Sequence, residues 1–401
     1  MKAPQQNIKG RPDFVLLIMT IMFVGFGIVM VFSASSSISV VSSVYNYDAL
    51  YFTKRQFAYA VLGLVAMLIL MSFPYRFIQK NAKLYIIPSL LLLIIVPYVG
   101  VYINGATSWL IIGPLSLQPT EFAKLALILY LGMLITKKGE KFRNFKYGLL
   151  PVIIVVGVFS FFIMEQPDLG SCLILVSCAG IMIWAGGANL KQLFFVGVGS
   201  ISVLAPIIAF SYWKNPISWD YRIARFTSYR DPLKYAQDES WQLVSSLQAL
   251  GHGGFTGAGF GESVQKLHYL EYAYNDFIFA IIAEELGFIG ATLLILFYVV
   301  FIWRGFLISV RCPDPYGMVV GVGIIGLIAV QTFVNIGGVT GFIPLTGVTL
   351  PFISFGGSSL LVTLMGMGVL LSISREYTKS IDQETTRTIS TRTQKTTVNP
   401  Y

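Results

Sequence analysis

Long runs of apolar residues alternate with short polar segments along most of this chain. Ten runs have the length and hydrophobicity of membrane-crossing helices, since about 20 apolar residues span a bilayer. These runs are residues 14–32, 57–72, 84–103, 120–136, 149–164, 171–186, 193–212, 277–303, 316–339 and 352–373. The pattern predicts an all-α polytopic membrane protein with about ten transmembrane helices, which form one membrane domain over residues 14–374.

One polar segment is much longer than the others. Residues 213–276 separate the seventh and eighth predicted spans. A connection of this length exceeds a simple turn and is shorter than most independent domains, and such loops usually carry function. At the other extreme, residues 375–401 are rich in threonine and show no apolar periodicity, so we expect a disordered tail.

The basic residues predict the orientation of the spans. If residues 1–13 face the cytoplasm, the segments on that side hold 19 of the 28 lysines and arginines. Cytoplasmic loops of membrane proteins carry such an excess. We therefore expect both termini in the cytoplasm and the loop 213–276 outside. The net charge of +9 is then an orientation signal, and we expect no nucleic-acid partner.

Composition supports the membrane class and limits the possible metal chemistry. Apolar residues make up 55% of the chain, charged residues 12%, and the mean hydropathy is +0.72. The three cysteines lack the spacing of a disulfide or a metal site. The two histidines, His252 and His268, both fall in the long loop. We expect no histidine-based metal site.

Asp276, at the end of the long loop, is the first candidate for chemistry. An ionisable residue at a bilayer boundary is costly and so suggests a function. An aspartate just before an apolar run is also the expected N-cap of a helix, although Asn275 could take that place. As a general base, Asp276 would benefit from partial burial, which raises the pKa of a carboxyl group.

Further along the same predicted helix, Glu284 and Glu285 must find partners or water. They could form a polar track that leads from Asp276. They could equally form a hydrogen-bonded contact between helices.

A glycine-rich stretch precedes Asp276 in the loop. Gln242 and Ser246 come first, followed by six glycines within residues 251–261, among them Gly254. Backbone N–H groups in such a stretch can bind an anion. The glycines follow no strand and match no nucleotide-binding motif.

Arginines recur at short spacing earlier in the loop. Arg222 and Arg225 could gather guanidinium groups around a phosphate or diphosphate, which arginine binds through paired hydrogen bonds. A solvated basic surface would give the same pattern. The sequence leaves both interpretations open.

Two further polar clusters lie near predicted span ends. Glu121 and Lys124 share a helix face, so they can form an ion pair. This pair could fix packing only, hold a lipid headgroup or position the catalytic loop. Trp109 and Gln118 precede this pair. Asp168 lies in a turn rich in proline and glycine, where it either stabilises the turn or assists chemistry.

Proline and glycine are dense between residues 341 and 359, a stretch that includes Ser358. This density predicts a break in the helical structure. Non-helical backbone at membrane depth persists only where protein or a wet cavity covers it. We therefore expect this segment to line the same cavity as Asp276.

Five motifs in this order resemble the SEDS family (shape, elongation, division and sporulation), over about residues 14–375. The motifs are Gln118–Lys124, Gln166–Gly170, Trp241–Gly261, Asp276–Gly287 and Leu350–Ser359. Within the family, the length and the segment Tyr51–Gln56 are more similar to the FtsW branch than to the RodA branch. One position and one five-residue segment differ from many members: Ser108 replaces an arginine, and Glu271–Asn275 replaces a Pro-Glu-Ala-His-Thr run.

The resemblance implies an inverting peptidoglycan glycosyltransferase that polymerises lipid II on the outer face of the bacterial inner membrane at the septum. Asp276 would be its catalytic base and undecaprenyl diphosphate the leaving group, with Glu121 and Lys124 as a conserved pair. The implied partners are a class B penicillin-binding protein transpeptidase and division-complex membrane proteins. A divalent cation, Mg or Mn, could take part.

Two other functions fit the same features. Ten spans with buried charges would also suit a flippase or transporter of lipid II. An elongation-type polymerase of the RodA kind is the nearer alternative.

Overall fold

The computed structural model describes residues 10–376, with gaps at 104–105, 114, 167, 190, 193, 196, 198–228, 230–231, 233–239 and 268. Helices dominate the described part of the chain. In chain order they are α1 (Phe14–Val41), α2 (Tyr51–Ser72), α3 (Tyr75–Lys80), α4 (Ala82–Val99), α5 (Pro119–Lys138), α6 (Leu150–Met164), α7 (Leu169–Ala185), α8 (Trp241–Gly253), α9 (Ile278–Val310), α10 (Pro315–Val339) and α11 (Gly357–Glu376). Short 3₁₀ and π turns occur at Ser43–Tyr45, Gly139–Arg143 and Phe145–Leu149.

Eight helices among the described residues are long and apolar enough to cross a bilayer. They correspond to eight of the ten predicted spans. The sixth predicted span is the shorter helix α7, with 17 residues, and the seventh, 193–212, lies almost wholly outside the described residues. The prediction of a mostly helical membrane fold is confirmed.

Aspartates at helix starts explain several of the boundaries. Asp13 accepts a hydrogen bond from Leu16 N at the start of α1, and Asp314 accepts one from Gly317 N at the start of α10. Each carboxylate satisfies an N–H group that has no partner within its helix. Pro315 at the first turn of α10 reinforces that start, because its missing N–H group costs nothing there.

A small antiparallel sheet interrupts the helical structure after α4. Its strands are β1 (Val101–Ile103), β2 (Ala106–Ile112) and β3 (Leu115–Leu117), in the order β1-β2-β3. The third predicted span extended to residue 103, but α4 ends at Val99. The apolar residues of β1 continued the hydrophobic run, so hydropathy did not separate the strand from the helix.

Helices α5, α10 and α11 form the centre of the molecule. The apolar windows of these spans are 72%, 78% and 89% buried, whereas those of α2, α4 and α9 are only 28% buried. Glycine permits close helix contact here: a Cβ at Gly132 in α5 would lie 2.3 Å from Val320 Cγ2 in α10. Small residues at helix contacts serve this purpose in membrane proteins. The outer helices expose their apolar faces to lipid.

Helix α9 contains a break that the sequence did not predict. Gly287 has φ 69° and ψ −172°, which is not helical. The residues after the break are numerous enough to cross a bilayer, at about 1.5 Å of rise per residue. The residues before it form a short separate segment, which we call the α9 entry segment (residues 278–286). A single glycine in an apolar run barely changes the mean hydropathy of the run. The hydropathy pattern therefore predicted one continuous span.

The proline- and glycine-rich segment between α10 and α11 is non-helical over residues 341–356, which agrees with the predicted break. In its second half, residues 350–354 are buried inside the protein, whereas Phe342 in its first half is 70% exposed. Gln56 Nε2 in α2 donates to Ser354 O at 3.0 Å. Gly27 in α1 admits its backbone closely, since a Cβ there would lie 2.6 Å from Phe352 O. Protein contacts thus cover this backbone.

Candidate active site

Asp276 lies two residues before Ile278, where the α9 entry segment begins, and it does not cap that helix. The N-cap is Phe277, with no side-chain hydrogen bond to the first turn. Asp276 Oδ1 is buried and has no hydrogen-bond partner among the described residues. The capping interpretation of Asp276 is therefore wrong. A buried carboxylate oxygen without a donor is costly, and it points to a role beyond structure.

The surroundings of Asp276 favour its protonated form. Burial, followed by repulsion from the negative charge of Asp168, raises the pKa of Asp276 to about 7. A general base is most effective when its pKa lies near the working pH. This carboxyl group can therefore exchange a proton at neutral pH.

Asn335 in α10 holds the backbone of Asp276 in place. Its Nδ2 donates to Asp276 O and to Val348 O, both at 2.7 Å. One amide group thus joins the loop, the buried helix α10 and the non-helical segment. Gly347, in the same non-helical segment, also lies close to Asp276, since a Cβ at Gly347 would lie 3.6 Å from Asp276 Oδ2. The non-helical segment thus lies beside Asp276, and the cavity that the two were expected to share stays a prediction.

An aromatic cluster supports the residues just before Asp276. The ring of Tyr274 lies 4.2 Å from that of Phe52 and 5.8 Å from that of Phe355, between centroids. Phe355 N donates to Tyr274 O at 2.9 Å. Burial raises the pKa of Tyr274, so its phenol stays neutral at physiological pH. This packing fixes the path of the chain into Asp276.

Asp168 both caps a helix and acts on Asp276 through its charge. Its Oδ1 accepts a hydrogen bond from Ser171 N at 2.9 Å, at the start of α7. Gly170 lets this end of α7 approach the non-helical segment, because a Cβ there would lie 2.6 Å from Thr346 O. The turn-stabilising interpretation fits the capping bond, and the proximity to Asp276 leaves room for a second role.

Glu121 and Lys124 form the predicted ion pair. Lys124 Nζ lies 2.8 Å from Glu121 Oε1, and both residues are buried in α5. Thr120, beside them, donates to Gln166 Oε1 at 3.2 Å. Each charge is compensated by the other inside the protein.

Gln118 and Ser358 meet at the start of α5. Ser358 Oγ accepts a hydrogen bond from Gln118 N at 2.9 Å and donates to Ser116 O at 3.1 Å. The hydroxyl group therefore links α11 to β3 and to α5. Trp109 is half-buried in β2, where it is paired with Val101.

Two of the site residues predicted from the sequence, Gln242 and Ser246, lie in α8 and differ in burial. Ser246 is buried, and its Oγ donates to Val339 O at the end of α10, at 2.7 Å. Gln242, one turn earlier, is half-buried. This contact joins the start of the glycine-rich stretch to the buried centre of the protein.

The glycine-rich amides are largely occupied by the protein itself. Gly254, with φ 51°, ends α8, and its N–H donates to Gly251 O at 3.3 Å. The N–H groups of Gly257, Ala258 and Gly259 also donate to carbonyl oxygens of the chain. These four amides are therefore not free to bind an anion, so that interpretation is wrong for Gly254, Gly257 and Gly259.

Glu284 explains part of this loop structure, which the sequence did not reveal. Its carboxylate accepts hydrogen bonds from Val264 N and from His252 Nδ1, both at 2.9 Å, and from Ser263 Oγ. Glu284 thus joins α9 both to α8, through His252, and to the loop, through Ser263 and Val264, which agrees with the predicted hydrogen-bonded contact between helices. The only sequence signal was a carboxylate inside an apolar run.

Arg222 and Arg225 lie outside the described residues, so their role stays a prediction. Among the described residues, no group of three or more His, Cys, Asp or Glu side chains is placed to hold a metal ion. The Mg or Mn ion considered from the sequence is therefore assigned no ligands.

Comparison with known proteins identifies the family of this chain. Residues 14–379 match the family described as cell cycle protein, FtsW/RodA/SpoVE. Stage V sporulation protein E of Bacillus subtilis is 41% identical over 92% of this chain and 98% of its own length. The probable peptidoglycan glycosyltransferase FtsW of the same organism is 39% identical over 90% of each chain.

Solved structures share the fold. A chain from a peptidoglycan synthase complex, described as coordinating polymerization and crosslinking, matches with a TM-score of 0.73 and 28% identity. That match covers 91% of this chain and 98% of the other. The rod shape determining protein RodA of Thermus thermophilus matches with a TM-score of 0.66 and 27% identity, over 91% and 97% of the two chains.

Proposed function

This chain belongs to the FtsW/RodA/SpoVE family of cell cycle proteins, and from that membership we propose that it is a peptidoglycan glycosyltransferase that polymerises lipid II. Several relatives that match over about nine tenths of the chain are named as probable enzymes of this kind. The observation that carries the proposal is Asp276, a carboxylate without a hydrogen-bond partner among the described residues, whose pKa is about 7.

In the proposed reaction, Asp276 accepts the proton from the 4-hydroxyl group of the acceptor N-acetylglucosamine. The oxygen attacks the anomeric carbon of a lipid-linked N-acetylmuramic acid. A β-1,4 bond forms with inversion as the bond to the diphosphate breaks, and undecaprenyl diphosphate leaves. A single base suffices for such a transfer, whereas glycoside hydrolases normally use two facing carboxylates.

The departing diphosphate needs positive charge, because negative charge accumulates on it in the transition state. Lys124 is already paired with Glu121 in the protein interior. This pairing favours Arg222 and Arg225 for the diphosphate and leaves the Glu121–Lys124 pair to support the site. Arginine suits this role because its planar guanidinium binds phosphate oxygens in pairs.

The remaining candidates would support the site through the elements they join. Ser358 and Gln118 connect α11 to α5, and Ser246 connects α8 to α10. We propose that Gln242, Trp109 and the turn at Gly254 shape the surroundings of the bound lipid. Asp168 would tune the basicity of Asp276.

We place the protein in the bacterial cytoplasmic membrane, with Asp276 on the extracytoplasmic face. A class B penicillin-binding protein is the proposed transpeptidase partner, together with division-complex membrane proteins. The similarity to a chain of a peptidoglycan synthase complex supports such a partner. The description of the family as cell cycle protein supports our proposal of a role at the division septum.

A sporulation role is the second candidate. The similarity of 41% to stage V sporulation protein E, over nearly the full length of both chains, favours it. Both roles use the same polymerisation chemistry. Deletion of the gene separates them, since a septal enzyme is needed during growth and a sporulation enzyme only during spore formation.

The activity is tested with purified protein and lipid II in liposomes. We expect glycan polymers and the release of undecaprenyl diphosphate. Movement of lipid II between the leaflets without polymer formation would instead identify a flippase or transporter. Assays with and without the co-purified transpeptidase show whether the partner is required.

A further inference from the structure

A buried polar cluster lies between α1, the long loop and α9. Lys266 Nζ donates to Glu285 Oε1 at 2.8 Å, to Gly261 O at 2.6 Å and to Ser33 Oγ at 3.3 Å. Ser33 Oγ donates to the same Glu285 oxygen at 2.6 Å. Ser33, Lys266 and Glu285 are 3%, 5% and 1% exposed. We call these three side chains the lysine clamp.

The lysine clamp acts where the loop crosses the break in α9. The N–H groups of Ala258 and Gly259 donate to the carbonyl oxygens of Glu284 and Glu285, at 2.9 and 3.1 Å. On the other side of Gly287, the N–H group of Phe288 donates to the loop at 2.8 Å. The loop therefore replaces the helical hydrogen bonds that the break removes.

The lysine clamp holds the chain segments on both sides of Asp276, the loop before it and the α9 entry segment after it. Lys266 lies upstream of Asp276 in the loop, and its backbone carbonyl also accepts a hydrogen bond from Ser37 Oγ in α1, at 3.1 Å. Glu285 lies downstream, at the end of the α9 entry segment. Since the clamp ties both segments to α1, it fixes the frame in which Asp276 is placed.

Stability alone does not explain a buried ion pair at this place. Removing two charges from water is expensive, and apolar side chains of similar volume often give equal or greater stability. Glu285 Oε2 is also buried and has no hydrogen-bond partner in the described part of the chain. Unlike apolar packing, the hydrogen bonds of these charged groups are directional. Each bond therefore specifies the position of one structural element.

We propose that Lys266 and Glu285 are positioning residues that hold the loop and the α9 entry segment so that Asp276 meets the acceptor hydroxyl group. This inference rests on the proposed function, in which Asp276 is the general base. Misplacement of a reacting group by about 1 Å can cost a hundredfold in rate. Loss of the clamp should therefore lower kcat and leave KM nearly unchanged.

The test uses the double variant Lys266→Met/Glu285→Met in the full chain. Both charges are removed together, because a single substitution would leave the other charge buried and unpaired. We expect a folded protein with near-normal thermal stability, at least a tenfold loss of kcat for polymerisation of lipid II, and a KM within about twofold of the wild type.

A matched control exists at the other end of the same two helices. Arg304 in α9 forms a bidentate ion pair with Asp13 at the start of α1, at 2.8 and 2.9 Å. The variant Arg304→Met/Asp13→Asn removes this pair but keeps an oxygen that can cap α1. Its kcat should stay within about twofold of the wild type, because this pair lies some 30 Å from the clamp by helix rise.

Two results would overturn the inference: a folded clamp variant with wild-type kcat, or an equal loss of kcat in both double variants. If the clamp variant does not fold, the variant Ser33→Ala is measured instead. We expect it to lose kcat threefold or more. An unchanged kcat in Ser33→Ala would refute the positioning role of the lysine clamp. Asp276→Asn is measured in parallel. If that variant stays active, the proposed function fails, whereas an inactive Asp276→Asn beside a fully active clamp variant refutes only the positioning role.

Discussion

At Asp276, a few neighbouring groups determine the properties of the proposed base. Its Oδ1 lacks a donor among the described residues, its backbone carbonyl is bound by Asn335, and the charge of Asp168 acts on its carboxylate. A cap or an ion pair would have stabilised the ionised form and lowered its basicity. The absence of such a partner in the described structure keeps the proton affinity high. This is the property that a general base requires.

The influence of Asp168 on Asp276 gives a pH prediction. Asp168→Asn removes the negative charge that raises the pKa of Asp276 and keeps an oxygen for the cap of α7. The pKa of Asp276 should fall, so the acid limb of the profile of kcat/KM against pH should move from about 7 towards lower pH. The measurement is the polymerisation rate between pH 5.5 and 8.5.

Glu165→Gln is the control for that experiment. It removes one negative charge from an exposed side chain in the same turn, and the acid limb should stay in place. An unchanged limb in Asp168→Asn, or a shift to higher pH, contradicts the role given to Asp168.

The sequence identified Asp276 but did not reveal its surroundings. Its position at a bilayer boundary was visible in the hydropathy pattern. The choice between a cap and a free carboxylate depends on the backbone at Phe277, which the sequence does not specify. Asn335 was visible only as a polar residue in an apolar helix, and its two acceptors lie in segments that are distant along the chain.

Among the structural elements, the crossing of the loop and α9 depends on two glycines. A Cβ at Gly287 would lie 2.2 Å from Gly257 N, and Gly287 has φ 69°. Gly287→Ala should destabilise the protein by roughly 2–6 kcal/mol, through overpacking and backbone strain together. The measurement is the apparent Tm in detergent, which we expect to fall by several degrees.

Gly180→Ala in α7 serves as the control, since a Cβ there meets no atom within 4 Å. Alanine favours a helix over glycine by up to about 1 kcal/mol, so its Tm should stay equal or rise slightly. Equal behaviour of the two variants would show that the close crossing does not constrain the fold.

The contact of α10 with Asp276 is tested by Asn335→Ala. The substitution leaves the carbonyl groups of Asp276 and Val348 without their donor, at a cost of about 1–3 kcal/mol for each unsatisfied group. We expect lower thermal stability and at least a tenfold loss of polymerisation.

Thr332→Val, on the same helix, removes a hydroxyl group that donates only to Ile328 O within α10. Its activity should remain near that of the wild type. Full activity in Asn335→Ala would show that the contact of α10 with Asp276 does not support the site.

Element types were predicted well from hydropathy, and element ends were not. The apolar runs marked the spans because burial in lipid requires them. The first strand after α4 and the break at Gly287 both lie inside predicted apolar runs, and the other two strands lie between runs. Each depends on contacts with other parts of the chain, the break on the loop residues around Gly257, and a hydropathy window contains no such information.

For the whole molecule, the distribution of basic residues predicts an orientation that no contact in the structure tests. In this orientation Phe255, which is 77% exposed, lies outside the cell, and the exposed Glu140 lies inside. In a background without the native cysteines, a membrane-impermeant maleimide should label Phe255→Cys on intact spheroplasts. It should label Glu140→Cys only after permeabilisation. The opposite pattern would reverse the topology and place Asp276 on the wrong side for lipid II polymerisation.

The architecture of the molecule concentrates chemistry at one end of a buried helical centre. Helices α10 and α11 are the most buried spans, and the non-helical segment between them lies against Asp276. In the proposed mechanism, this buried centre would hold the carboxylate of Asp276 in place, while the outer helices expose their apolar faces. The family relationship and this geometry support the same reaction.

The most direct measurement is the rate of lipid II polymerisation by Asp276→Asn at pH 8, together with its thermal stability. The pKa of Asp276 is about 7, above its ordinary value of 3.8, so the folded protein loses stability as pH rises through that interval. Asparagine carries no such charge, so the variant should be at least as stable as the wild type at pH 8. We predict a loss of kcat of about 10²–10⁴-fold, and a stable variant that polymerises at the wild-type rate would contradict the assignment of Asp276 as the base.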